Sequence, residues 1–141
     1  MAAQNNTVIS LDVGERRIGV ALASLVARLP APHGVIASGD TAIEAICDLA
    51  AKQQVQVIVV GLPRGLNGQD TAQTQQVRDF TDKLRKVCKL PIHFQDEALT
   101  SKQAEQELSD RGVRYTKEAV DALAATYILT DFLQEHPELK E

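Results

Sequence analysis

The sequence predicts an α/β fold, a five-stranded mixed sheet with helices on both faces, in one domain spanning residues 1–141. Three observations carry this. Val8–Asp12 and Arg17–Ser24 read as short apolar strands joined by the tight turn Gly14-Glu15, too short a link for anything but an antiparallel hairpin. Val55–Val60, VQVIVV, is apolar on both faces, as in a central strand covered by helices on both sides. From residue 41 onward, helical and strand periodicities alternate, as strand–helix–strand crossovers require.

The elements follow in order. The first strand is Val8–Asp12. The second alternates Ile18, Val20 and Leu22 with smaller residues. Pro30 and Pro32 then break the chain, and Gly34–Ser38 gives a third short strand. Thr41 and Glu44 have capping-box spacing and open a helix with Ile43, Ile46, Cys47, Leu49 and Ala50 on its apolar face. That helix fades at Gln53-Gln54, and Val55–Val60 follows. Gly61–Asp70, GLPRGLNGQD, reads as a Gly- and Pro-rich loop. A second helix runs from about Thr71 to Lys86, burying Val77, Phe80 and Leu84. Pro91 resets the chain for the strand Ile92–Gln95, which Asp96 and Glu97 end. Thr100 with Gln103 makes another capping box and starts a helix to about Leu108. The last helix, about Lys117 to Gln134, carries the stripe Val120, Leu123, Ala124, Tyr127 and Ile128. Residues 135–141 form a charged tail that is expected to fray.

Composition narrows the class. With 44% hydrophobic but only 4% aromatic residues, the core has to be aliphatic. The net charge of −4 argues against a sequence-blind nucleic-acid coat. Most of that charge sits in residues 131–141, where Asp131, Glu135, Glu138 and Glu141 outweigh Lys140. Cys47 and Cys88 form no CxxC pair and read as buried thiols in helical patterns. His33, His93 and His136 are scattered and take no role. Met1–Thr7 lacks an apolar signal region, and no run approaches the ~18 apolar residues of a membrane span, so the expected compartment is the cytoplasm.

Three acids fall where chemistry concentrates. Asp12 ends the first strand before Gly14, Glu97 follows the fifth, and Asp121 lies early in the last helix near Ala124 and Ala125. If the first strand pairs with the fourth and the fourth with the fifth, Asp12 and Glu97 emerge at one sheet edge. A last helix crossing that edge brings Asp121 to them. Three converging carboxylates repel one another unless cations neutralise them, and hard Mg²⁺ or Mn²⁺ suit such oxygen ligands. Two ions ~3.5–4 Å apart can activate water against a phosphodiester. Singly, each acid has a plainer reading as turn or helix-dipole chemistry. Arg16 and Arg17 flank the first acid, and Arg64 lies in a loop whose glycines permit close backbone approach. These arginines are candidate phosphate contacts. No Walker loop and no GxGxxG occurs.

At these residues the chain resembles the YqgF (RuvX) family of Holliday junction resolvases and pre-16S rRNA nucleases. Leu11-Asp12-Val13-Gly14-Glu15-Arg16-Arg17-Ile18-Gly19-Val20-Ala21 is similar to its opening motif. Val59-Val60-Gly61-Leu62-Pro63 with Asn67-Gly68 is similar to its central strand and loop. Asp96-Glu97-Ala98-Leu99-Thr100 and Val120-Asp121-Ala122-Leu123-Ala124-Ala125 are similar to its third and final motifs. The resemblance runs from about Val8 to Leu133. It implies a ribonuclease-H-like fold with strand order 3-2-1-4-5, and Asp12, Glu97 and Asp121 as catalytic, metal-binding acids. It implies divalent-metal hydrolysis of phosphodiesters, in maturation of the 5′ end of pre-16S rRNA. Arg16, Arg17, Arg64 and Asn67 are the expected nucleic-acid contacts. Two departures stand out: Ala98 replaces a common Arg, and Ala23-Ser24 stands where the family often has Ser-Asp.

Structured RNA is the expected partner, with branched DNA the alternative, together with pre-ribosomal particles and a monomeric or weakly dimeric state. Two other readings compete: a non-catalytic RNA- or ribosome-associated module, and a nucleotide-binding protein akin to sugar kinases and chaperone ATPases. The latter need two such domains around the nucleotide.

Overall fold

The computed structural model describes residues 6–65, 67–97, 100–112 and 114–139, apart from the side chains of residues 100–103. The elements are β1 (Thr7–Val13), β2 (Arg17–Ser24), β3 (Ala31–Ala37), α1 (Ala42–Lys52), β4 (Val55–Pro63), α2 (Ala72–Val87), β5 (Ile92–Glu97), α3 (Thr100–Asp110) and α4 (Lys117–Glu135). The sheet order is β3-β2-β1-β4-β5, the ribonuclease-H-like arrangement that the resemblance implied. β1, β2 and β3 pair antiparallel, while β1, β4 and β5 are parallel. The Gly14 amide donates to the Arg17 carbonyl at 3.0 Å and closes the first hairpin.

Period-two alternation decides which face each strand residue serves. Ile9, Leu11, Ile18, Val20, Ile58, Val60 and Leu62 pack against α1 and α2. Val8, Ala21, Ala23, Val57 and Val59 face Ala125, Ile128, Leu129 and Phe132 of α4. By the same alternation Ser10 and Asp12 belong to the α4 face. β1 and β4 therefore read apolar almost throughout because each side has its own core.

Several boundaries differ from the sequence reading. β3 begins at Ala31 rather than Gly34. Pro32 is tolerated there because β3 is an edge strand and its register shifts as Val20 pairs with Gly34 and Ala21 with Pro32. β4 continues to Pro63, into the expected loop, because Gly61, Leu62 and Pro63 pair with Gln95, Asp96 and Glu97. The two acids thus lie within β5 rather than beyond it. Thr41 precedes α1 but makes no side-chain cap, its backbone already lying in the helical region. A reciprocal Thr71–Thr74 capping box starts α2 instead. The Thr100–Gln103 box involves undescribed side chains, and Ala98 lies outside the described residues.

On α4, Leu123 and Tyr127 are only half-buried, while Ala122, Ala125, Leu129 and Phe132 are buried. The Tyr127 hydroxyl donates to Glu107 of α3. Of the thiols, Cys88 is buried at the end of α2 and Cys47 half-buried. Among the described residues no helix is long and apolar enough to cross a membrane.

The described part of the tail is held rather than loose. Arg28 donates to the carbonyls of Leu133 at 2.7 Å, His136 at 3.1 Å and Leu139 at 2.5 Å. One guanidinium thereby satisfies the Leu133 and His136 carbonyls at the end of α4 and ties the Leu139 carbonyl of the tail to them. Arg28→Ala is expected to cost about 1–3 kcal/mol and to speed amide hydrogen exchange selectively in residues 134–139. Unchanged exchange there would show that the tail is held by other contacts.

Candidate functional site

The acids meet because of what surrounds them. Asp12 lies opposite Gly19 in the β1–β2 ladder. A β-carbon at Gly19 would overlap the backbone carbonyl of Asp121, so glycine is what lets α4 lie against β2 at this point. One helical turn along, the Ser10 hydroxyl donates to the Ala125 carbonyl at 2.6 Å. Ser10 and Asp12 are two residues apart on one strand face, and Asp121 and Ala125 are one turn apart on the helix. These repeats are of similar length, about 6.6 Å and 6 Å, so the Ser10–Ala125 contact also carries Asp121 to the level of Asp12.

Glu97 arrives from β5 on the same face as Gln95, whose amide bonds Glu135 of α4. Gly61 separates Glu97 from α4: a β-carbon there would lie 2.5 Å from both Glu97 Oε2 and Ile128 Cδ1. Glycines inside strands are a sequence signal of close approach. Gly19 and Gly61 were therefore findable, although the sequence reading gave Gly19 only its place in a motif and put Gly61 in a loop open to phosphate. Ser10 offered no such signal.

The resulting electrostatics are unbalanced. The Asp12 carboxyl is pushed up from 3.8 to about 8, first by burial, then by the charges of Glu97 and Asp121, and by a hydrogen bond to Glu97 that its protonated form donates. Asp121 has a counter-charge: Arg17 Nε donates to its Oδ2 at 2.6 Å, both side chains about a quarter exposed. That bond holds the guanidinium still more firmly protonated.

Among the described residues no group of three His, Cys, Asp or Glu side chains is gathered as a ready ligand set for a metal ion. The donor chemistry nevertheless suits a hard divalent cation, because Asp12 carries a proton at neutral pH where a cation could stand instead. Asp12, Glu97 and Asp121 are the residues that could hold it.

The expected nucleic-acid contacts are more dispersed. Arg17 is engaged by Asp121. Arg64 donates to Asp96 at 3.1 Å, to Asp70 at 3.2 Å and to the Gly68 carbonyl at 3.3 Å. Arg64 thus reaches Asp96, whose side chain leaves β5 on the face opposite to that of Glu97. Asn67 donates its backbone amide to Gln69 at 2.9 Å. Arg16 is exposed next to the hairpin turn. A cleft of about 540 Å³, lined by Val13, Gly14, Glu15, Gln73 and Gln76, opens at the same margin towards α2 and away from the acids.

Known proteins share both sequence and fold with this chain. A sequence model of the RuvX family, described as "Holliday junction resolvase", matches residues 6–135. A "Putative pre-16S rRNA nuclease" of Chloroflexus aggregans is 42% identical over 131 residues, covering 90% of this chain and 92% of the relative. One of Roseiflexus sp. is 39% identical, covering 94% and 97%. Among solved structures, RuvC of T. thermophilus in complex with a Holliday junction substrate aligns with a TM-score of 0.59 at 14% identity, covering 96% of this chain and 98% of that one. The fowlpox virus Holliday junction resolvase aligns at 0.52 with 7% identity, covering 92% and 98%. At such identities these two speak for the fold alone.

Two outcomes follow from the site. Folded Asp12 keeps its proton up to about pH 8, whereas its ordinary value is 3.8. Between those values the folded chain binds more protons than the unfolded chain, so metal-free stability falls as pH rises through the window. The slope is at most about 1.4 kcal/mol per pH unit. Asp12→Asn is expected to flatten it, so that calorimetry from pH 5 to 8 finds the variant gaining on wild type; parallel curves would refute this origin. Gly61→Ala is expected to cost about 1–3 kcal/mol and to shift the NMR signals of Glu97 and the Ile128 methyl.

Proposed function

The chain belongs to the RuvX family, and from that premise we propose that it is a divalent-metal-dependent nuclease that processes the 5′ end of pre-16S rRNA. The observation that supports the reading best is the convergence of three acids distant in sequence: the Asp12 carboxyl is raised first by its burial and then by the nearby charges of Glu97 and Asp121. The RNA substrate is supported by relatives named for pre-16S rRNA, at 42% and 39% identity over nearly their whole length.

In this reading Asp12 and Glu97 hold Mg²⁺ or Mn²⁺ at the margin, and Asp121 completes the acidic site from α4. A divalent cation held there would supply water activation and charge neutralisation at the departing oxygen of the phosphodiester. The chain's own part is positioning. Gly19 and Ser10 set the height of α4, and Gly61 leaves room for the Glu97 carboxylate. Asp12 gives up its proton when the cation binds, so cation binding at neutral pH releases protons. Arg16, Arg64 and Asn67 are the proposed contacts to the nucleic-acid backbone. The surface pairs of Arg64 with Asp70 and Asp96 are each worth only about 0–1 kcal/mol, so exchanging them for a phosphate costs little. The proposed compartment is the cytoplasm.

A second reading, resolution of branched DNA, is favoured by the description of the family model that matches residues 6–135. The same acids would serve it.

Incubation of a structured pre-16S RNA fragment and a four-way DNA junction with Mn²⁺ or Mg²⁺ separates the readings. Wild type is expected to cleave the RNA near its mature 5′ end. Asp12→Asn is expected to reduce cleavage by at least about 10³-fold, the order of effect seen when a group central to transition-state stabilisation is lost, while keeping its circular dichroism. Equal cleavage by the variant would overturn the assignment, and cleavage of the junction alone would favour the second reading.

A further inference from the structure

Arg17 was expected to meet phosphate, yet it stands inside the acidic site. β2 alternates so that Gly19 and Ala21 face α4, and Arg17 falls on the same face. Its Nε is 2.6 Å from Asp121 Oδ2, a charge-assisted bond at the short end of the range, with both side chains partly buried.

We propose that Arg17 is a built-in counter-cation of Asp121, so that the site holds a single divalent ion on Asp12 and Glu97 and the guanidinium takes the place of a second. Three carboxylates carry three negative charges. One guanidinium cancels one, and one divalent ion cancels the remaining two. A second divalent ion on Asp121 would have to displace a short, half-buried ion pair and sit beside a cation that has lost its partner, which low local dielectric makes costly. Arg17 is in this sense a positioning residue: it fixes the Asp121 carboxylate and sets how many ions the margin accepts. The idea rests on the proposed metal-binding role of the acids, but it concerns the number of ions rather than the reaction.

Metal stoichiometry tests it without any turnover. Mn²⁺ binding to the full chain is followed by titration calorimetry and by the loss of the free-ion electron paramagnetic resonance signal. Wild type is expected to bind one Mn²⁺. Arg17→Met keeps the length of the side chain and removes its charge, and it is expected to bind two, the second within about 100-fold of the first, a gap of about 2.7 kcal/mol. Arg17→Lys retains a cation and is expected to stay at one, which guards against a general packing effect. Two ions in wild type, or one in Arg17→Met with native circular dichroism, would overturn the proposal while leaving the metal-dependent reading intact. No Mn²⁺ bound by wild type, or binding undiminished in Asp12→Asn, would instead remove the metal reading itself and this inference with it.

Discussion

Contact between the backbone of α4 and the sheet is the constraint on which the site depends. Two of its acids come from parallel strands on either side of β4, whose pairing with both settles their relation. The third comes from a helix, which ladder hydrogen bonds cannot place. Its height is set by Gly19, which has no side chain to hold α4 off, and by the Ser10 hydroxyl on Ala125. Ala122, Ala124 and Ala125 are all buried, which lets the helix lie low over β1 and β2. A bulkier seam would raise α4 and take Asp121 away from Asp12.

That approach concentrates negative charge in a partly dry margin. A fold that gained nothing from the cluster would carry it at a loss, since burying carboxylates together costs free energy unless something answers them. Here the answer is divided. Asp121 leans on a guanidinium, while burial and the charges of Glu97 and Asp121 push the Asp12 carboxyl towards its protonated form. The imbalance lies among a few side chains, which the average charge of the chain does not display.

Much of this was legible in the sequence, for identifiable reasons. The hairpin followed from the shortness of Gly14-Glu15, and the central position of β4 from its unbroken apolar run. The meeting of Asp12 and Glu97 followed from assuming that β1, β4 and β5 are neighbours. Less legible features depended on partners distant in the chain. Extension of β4 to Pro63 and of β5 through Glu97 came from mutual pairing that local composition opposed. Pro32 looked like a strand breaker, yet it lies at an edge where its missing amide costs nothing. Tethering of the tail by Arg28 needed a residue over a hundred positions upstream, with a backbone φ of 56° that no local pattern announces. The partner of Arg17 was not legible either, because flanking Asp12 in sequence says nothing about the guanidinium reaching Asp121 in space.

The shape of β3 has a consequence for how these molecules coexist at high concentration. An outer strand usually offers a row of open amides and carbonyls to which a stranger's strand can zip. In β3, Pro32 removes one amide from the row, and the register shift between Gly34 and Pro32 breaks its spacing. Gly34, with φ of 150°, twists the ribbon further from flatness. The exposed margin of the sheet is thereby made a poor template, and the fold defends itself against fibrous stacking with the residues that made the strand hard to recognise.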